Sequence, residues 1–384
     1  MTPLRIAVVH SFYSSGQPSG ENEAVRDQVR ALRHAGHEVA LVAAHTDTLA
    51  RSRLYPVRAT VTVASGRGRS PIAELRAFAP DLVHVHNLFP NFGRGWVRAW
   101  DGPLVATLHN YRPLCAGATL SRDGAPCTSC LDGDRWAGVR HGCYRDSRLA
   151  TAPLAWANRR GPTGDPLMRR ADRLIVVSEL GRRTYLRAGI AADRIALIPN
   201  FVDEPAPRTD GASDERWVFA GRLSPEKGSL DLLRRWPESV PLDIIGDGEL
   251  LARARATAPS SVRFLGRLDR AELRRRLPSY LGLVFPSRCL EGAPLVQVEA
   301  LAAGLPILAF DGSSVAESVR SLGTGTAVGW GDPLAPVLAD AAERFPALRA
   351  HCRRVFDTYF TEDAWLRQVE RLYHEALGIS PLAP

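Results

Sequence analysis

A single lysine, Lys227, stands among the 49 basic residues of this 384-residue chain; the other 48 are arginines. No apolar run approaches the roughly 18 residues that a membrane helix needs, so no spanning segment is expected. Met1–His10 lacks a basic stretch, an apolar core and a small-residue cleavage site, and the expected location is therefore cytoplasmic. A hydrophobic content of 45% with 23% charged residues excludes a disulfide-stapled miniprotein, and neither low-complexity tracts nor short repeats occur. After the first apolar run the chain reads His10-Ser11-Phe12-Tyr13, with no GxGxxG opening a helix, which speaks against a nicotinamide-dependent oxidoreductase. No groove-reading or RNA-binding motif accompanies the net charge of +8, so nucleic acid is not an expected partner.

Hydrophobic residues make up 45% of the chain and charged residues 23%, which is enough apolar surface for two full domain cores at this length. Apolar runs at Leu4–His10, Glu38–Ala44, Leu82–Asn87, Leu104–His109, Arg173–Ser178 and Ile195–Asn200 alternate with helical patterns. The pattern stops in a loose stretch containing Pro205, Pro207, Asp210, Gly211, Ser213 and Asp214. It restarts at Trp217–Gly221, Leu242–Gly246, Val262–Gly266, Leu283–Phe285 and Ile307–Phe310. Continuous apolar strands alternating with helices predict parallel sheets covered on both faces, hence two doubly wound α/β domains. The expected division is 1–203 and 204–361, with a C-terminal helix from Glu362, at 362–384, packing back through Trp365, Leu366, Val369, Leu372 and Tyr373.

Ligands of open α/β sheets bind at the carboxyl ends of the strands, so chemistry is sought in the loops there. Arg222 and Lys227 follow the strand ending at Ala220-Gly221. Two cations five residues apart beside a helix start suit a diphosphate, with a surface salt bridge from Lys227 to Glu226 or Asp231 as the alternative. Glu291 lies in the loop after Pro286-Ser287, and Gly292-Ala293-Pro294 leads into a helix with Pro294 suited to its first helical position. The amides that open this helix face the same end of the sheet, and Glu299 lies about two turns in. The two carboxylates suit hydroxyls at different distances from one anion site; the alternatives are a helix-dipole partner and a solvated side chain. Glu299 has apolar neighbours, so it needs a partner.

Glu291 and Glu299 with seven residues between them, followed by Ala300-Leu301 and Gly304-Leu305-Pro306, resemble the Glu-x7-Glu signature of retaining glycosyltransferases of family 4. Gly221-Arg222, Glu226-Lys227-Gly228, Ile245-Gly246-Asp247-Gly248 and Pro199-Asn200 with Val202-Asp203 match that family in order, and Phe201 stands where it usually has glycine. The resemblance implies the GT-B fold, with two Rossmann-like domains facing across a cleft. The second would hold a nucleotide-diphosphate sugar, with UDP the commonest carrier. The first would hold a glycan, lipid-linked or small-molecule acceptor. It implies that Arg222 and Lys227 neutralise the diphosphate, that Glu299 binds ribose and Glu291 the donor sugar, and that the amides at Leu295 and Val296 cap the phosphate. Gly221 belongs to the same loop. No cofactor or metal is required for catalysis in that scheme. Ser19-Gly20-Glu21 resembles the family's Gly-Gly loop, with Gly20 permitting a strained turn, and His109 matches a histidine facing the donor sugar; an ordinary strand-end histidine is the alternative. His84 and His86 are read as strand-end residues near the acceptor side.

Cys115, Cys127, Cys130 and Cys143 lie in a Gly/Asp-rich insertion expected to be free of sheet. Their spacing is consistent with a structural zinc; free thiols or disulfides are the alternatives. Similar cysteine-bearing insertions occur in a subset of the family. Cys289 and Cys352 are expected to be ordinary buried residues. Peripheral contact with the inner membrane face would follow from a lipid-linked acceptor, but no basic amphipathic helix is evident, and Arg159-Arg160 and Arg274-Arg275-Arg276 read as solvated faces. A nucleotide-sugar epimerase or hydrolase on the same fold is the alternative activity.

Overall fold

A computed structural model describes residues 2–16, 19–203 and 215–379. The loose-stretch residues from Pro205 to Asp214 and the last five residues of the C-terminal segment lie outside the described residues.

Contacts divide the chain into two units. The first comprises Met1–Leu120, Cys127–Pro199 and Trp365–Pro384, and the second Ser121–Pro126 and Asn200–Ala364. Asn200–Asp203 therefore belong with the second unit, where Phe201 and Val202 are buried.

The first unit is built on six parallel strands in the order Glu38–His45, Arg5–Phe12, Leu82–Asn87, Leu104–Leu108, Arg173–Val176, Ile195–Leu197. Its inner strands are buried almost throughout, as continuous Val/Ile/Leu runs demand, while the edge strand Glu38–His45 is only patchily so. The helix Glu362–Ala376 buries Trp365, Val369, Leu372 and Tyr373 in this unit, where its Glu370 meets His37 Nε2 at 3.0 Å.

The second unit repeats the plan with six parallel strands in the order Val262–Gly266, Leu242–Ile245, Trp217–Ala220, Gly282–Phe285, Ile307–Phe310, Gly325–Val328. The edge strand Gly325–Val328 carries no pattern of its own: it is four residues long, opens on glycine and is mostly half-exposed. In each sheet the strand order reverses beside the first strand. Neighbouring loops there leave toward opposite sides and open a crevice at the carboxyl ends.

Candidate functional site

In the second unit the reversal falls between Trp217–Ala220 and Gly282–Phe285, and the loops after them carry the predicted motifs. The loops are stitched together. Arg288 N donates to the Glu226 carbonyl at 2.9 Å, and Ser287 Oγ donates to the same oxygen at 3.3 Å. Gly228 takes a left-handed conformation under Pro286, where a Cβ would lie 2.0 Å from the Pro286 oxygen, so no other residue fits. This closure brings Lys227 Nζ to 2.6 Å from Glu291 Oε2 across 64 positions of sequence. The surface pairs considered for Lys227 do not form. Glu226 accepts from Ser224 Oγ at 2.7 Å, and Asp231 pairs with Arg234 and Arg288. Burial alone would lower the Lys227 pKa, but the Glu291 carboxylate, with Cys289 and Glu226 adding to it, raises it above its usual value and keeps the ammonium charged. Two of its three protons have no protein acceptor among the described residues, and Glu291 Oε1 is buried without a partner. The pair is a half-used polar centre, able to take further acceptors on the nitrogen and a donor on the carboxylate.

Arg222 is exposed, and its guanidinium has no partner among the described residues. Gly221 fixes the loop origin: its N–H donates to the Ile245 carbonyl at 3.0 Å, and a Cβ on Gly246 would meet the Gly221 oxygen at 1.9 Å. The helix Leu295–Ala302 opens beside Glu291, with Pro294 as its cap residue rather than its first helical residue. No side chain caps it, so the Leu295 and Val296 amides stay available to an anion. Glu299 is buried, not solvated; Arg270 Nε donates to its Oε1 at 2.8 Å and Arg274 Nε lies 3.4 Å away. Arg270 escapes a sequence reading because it lies on another helix, 29 positions upstream, and Arg274, expected on a solvated face, is instead largely covered beside this carboxylate, 25 positions upstream. Any ribose would share this carboxylate with them.

The first unit gathers a different set. His10, His84, His86 and His109 come from three adjacent strands and meet at their carboxyl ends, with ring centroids of His84 and His86 4.1 Å apart. His84 is satisfied by Tyr373 Oη and Thr107 Oγ1, each at 2.7 Å, and is structural. His10 Nε2 lies 3.0 Å from Asn22 Oδ1. His86 Nδ1 lies 2.9 Å from His109 Nε2, and His86 Nε2 is buried without a partner. Burial holds all four rings neutral: His10 at about 4, His84 and His109 at about 3, and His86 well below its usual value. Only His109 retains partial exposure.

Gly20 is not strained. It is the first residue of the helix Gly20–His34 with an ordinary negative φ, and Ser19 caps that helix by accepting from Asn22 N at 3.4 Å. Ser19 thereby supplies a capping oxygen that a glycine at this position lacks. The next residue, Glu21, is the main feature that sequence reasoning passed over. Its Oε2 accepts from Asn110 Nδ2 at 3.0 Å and its Oε1 is buried without a partner. Burial raises its pKa to about 7 against the opposing pull of Asn110, Asn87 and Arg112. Asn87 also donates to Tyr13 Oη at 2.8 Å. A pocket open at its mouth lies in this unit, lined by His86, His109, Asn110, Arg112 and Phe89 among others. Arg112 stacks 4.0 Å over Phe89. The one cue in the sequence was the position of these polar residues just after apolar strands.

The four insertion cysteines are free thiols, Cys115 and Cys130 buried, Cys127 and Cys143 half-buried. Cys115 and Cys143 both approach Gly117, and burial together with Cys115 and Cys127 raises the Cys130 thiol. Among the described residues no three His, Cys, Asp or Glu side chains stand where they could hold a metal ion, so the arrangement does not fit the expected zinc. Nor is the insertion free of sheet: Ser121–Arg122 and Ala125–Pro126 pair as a hairpin, whose Gly124 carbonyl accepts from Arg288 Nη1 at 3.2 Å within the second unit. Cys289 and Cys352 are buried, with thiols pushed up to about 12 by burial. Arg275 and Arg276 both pair with Glu272 on their own helix.

Residues 18–204 match the family described as Glycosyltransferase Family 4, and residues 214–345 match Glycosyl transferases group 1. The chain is 32% identical over 303 residues to a phosphatidyl-myo-inositol mannosyltransferase of Mycobacterium leprae, covering 72% of this chain and 70% of that one. It is 27% identical to a GDP-mannose-dependent alpha-mannosyltransferase of Mycolicibacterium smegmatis, covering 84% of each. Other curated relatives are matched over only part of their length, and the chain spans 25% and 56% of two of them. Among solved structures, the Anabaena protein HepE, in complex with UDP and glucose, superposes with a TM-score of 0.61 at 16% identity over 97% of this chain and 100% of that one. That likeness establishes the fold.

Proposed function

The chain belongs to the family 4 glycosyltransferases of GT-B fold, and from that premise we propose that it moves a sugar from a nucleotide-diphosphate sugar to an acceptor hydroxyl, with retention of anomeric configuration. The observation that carries this reading is the Lys227–Glu291 pair at the strand reversal of the second unit, between exposed Arg222 and the uncapped start of Leu295–Ala302. Lys227, Arg222 and the Leu295 and Val296 amides neutralise the diphosphate as its bond to the anomeric carbon breaks. The acceptor oxygen bonds to that carbon on the face the diphosphate leaves, and the acceptor proton passes to a diphosphate oxygen. Fixed cations and helix amides perform the charge stabilisation, so the step needs no metal. Glu291 holds a donor-sugar hydroxyl through its unpartnered oxygen and Glu299 holds the ribose. His109, neutral and hydrogen-bonded to His86, faces the donor sugar.

A UDP-sugar is the proposed donor. The similarity to a GDP-mannose-dependent alpha-mannosyltransferase over 84% of each chain supports GDP-mannose as the second reading. The acceptor is a hydroxyl of a glycan, lipid-linked glycan or natural product, met in the cytoplasm. Thermal unfolding with UDP, GDP, ADP and their sugars tests the reading. One diphosphate is expected to raise the unfolding temperature of the wild type, and the rise is lost in Lys227→Ala. No rise with any diphosphate, or an unchanged rise in Lys227→Ala, overturns it. Product analysis with and without acceptor separates transfer from epimerisation and hydrolysis.

A further inference from the structure

The helix Tyr55–Ser65 has no buried residue. A helix in that position is normally polar all round, yet Val57 and Val61 are 62% and 54% exposed, and Leu54 beside its first turn is 58% exposed. Positions 54, 57 and 61 fall on one stripe of a helix. The helix Arg148–Asn158 packs against it and exposes Leu149 at 89% and Trp156 at 47%, two turns apart and again on one stripe. Five of the nine exposed large hydrophobics among the described residues thus sit on one helix pair, whereas scattered single residues would need no explanation.

The charge around these stripes has one sign. Residues 50–69 contain five arginines and no acidic residue, and residues 148–164 contain three arginines and no acidic residue. Arg51, Arg53, Arg58 and Arg160 are exposed and have no ion-pair partner among the described residues. Arg159 lies 3.9 Å over the Trp156 ring. Aliphatic side chains and an edge tryptophan, flanked by unpaired guanidinium groups, match a surface that is apolar within and anionic at its boundary. A nucleic acid offers the anions but nothing for Leu54, Val57, Val61 and Leu149.

We infer that the outward faces of Tyr55–Ser65 and Arg148–Asn158 dock this chain on an anionic lipid bilayer. Other residues of the same helices, Thr62 and Val63 on one and Leu154, Ala157 and Asn158 on the other, line the pocket of the first unit. Docking therefore sets the wall of that pocket beside the lipid headgroups. That this presents a lipid-linked acceptor rests on the proposed transferase reading; the docking itself does not.

Co-sedimentation of the full chain with vesicles tests the inference and needs no turnover. Binding to phosphatidylcholine vesicles containing one-third phosphatidylglycerol is expected to exceed binding to pure phosphatidylcholine at least tenfold, and to weaken with salt. Val57→Asp with Leu149→Asp, and separately Arg53→Glu with Arg58→Glu, each lower it at least tenfold with the unfolding temperature unchanged, because all four side chains are exposed. Tyr359→Asp, an equally exposed apolar site in the second unit, leaves binding intact. Equal binding to both vesicle types, wild-type binding by both double variants, or an equal loss in Tyr359→Asp overturns the inference. The diphosphate thermal shift uses no vesicles and the co-sedimentation uses no nucleotide, so the two proposals fail separately.

Discussion

The carboxyl ends of the two sheets solve opposite electrostatic problems. In the second unit the groups are charged and paired: Lys227 with Glu291, Glu299 with Arg270 and Arg274, while Arg222 is left open to solvent. In the first unit they are titratable and buried: four histidines are held neutral, and Glu21 is shifted up to about 7. A charged crevice suits an anionic diphosphate, whereas a neutral, dehydrated one suits a polyol whose hydroxyls both donate and accept. Two sheets of the same plan thus carry different chemistry, because only the loops and strand ends differ.

Lys227→Ala is expected to break the charged half most severely. Turnover falls about a hundredfold or more, since the cation and the partner of a part-buried carboxylate disappear together, while steady-state rates fall further than unfolding free energy. Lys227→Arg does not restore the rate, because a planar fork cannot occupy the site of a compact ammonium.

Acid is expected to break the neutral half. The four histidines take up protons at about 6.5 when unfolded and only at lower pH when folded. Their contribution is present above pH 6.5 and is lost as pH falls, so stability drops by several kcal/mol towards pH 4. Urea unfolding across that range, with His84→Phe and His10→Phe as probes, reads the slope; a wild-type profile flat from pH 7 to pH 4.5 contradicts it.

Glu21 has the opposite sign. Its folded pKa of about 7 lies above the ordinary 4.5, so stability is fully present below pH 4.5 and is lost as pH rises through 7. Glu21→Gln is therefore more stable than wild type at pH 8, by up to about 3 kcal/mol, and equal to it near pH 4.5. Equal stability at both pH values contradicts the burial argument. The smallest effect is expected for Arg276→Ala, whose solvent-screened ion pair with Glu272 leaves the midpoint of denaturant unfolding unchanged.

Strands buried on both faces announce themselves as apolar runs, so eleven of the twelve strands in the two six-stranded sheets could be read directly, from Arg5–Phe12 to Ile307–Phe310. Gly325–Val328 could not, because an edge strand needs no such run. The hairpin Ser121–Pro126 is held by a turn and by Arg288, and neither leaves a periodic trace. Helix Tyr55–Ser65 hid its outward stripe because Val63 and Thr62 turn to the pocket and blur the pattern. Lys227, Glu291 and Glu299 were legible as types in loops and helices; their partners were not.

The sequence by itself determined two α/β units, the loops that carry the cations, and the one lysine among 49 basic residues, because burial on both faces and loop chemistry are local properties. Only the tertiary structure decided that Lys227 meets Glu291, that Glu299 is held by two arginines, and that four histidines from three strands share one dry cluster. Strand order places those groups, and strand order is settled by packing between residues far apart in the chain.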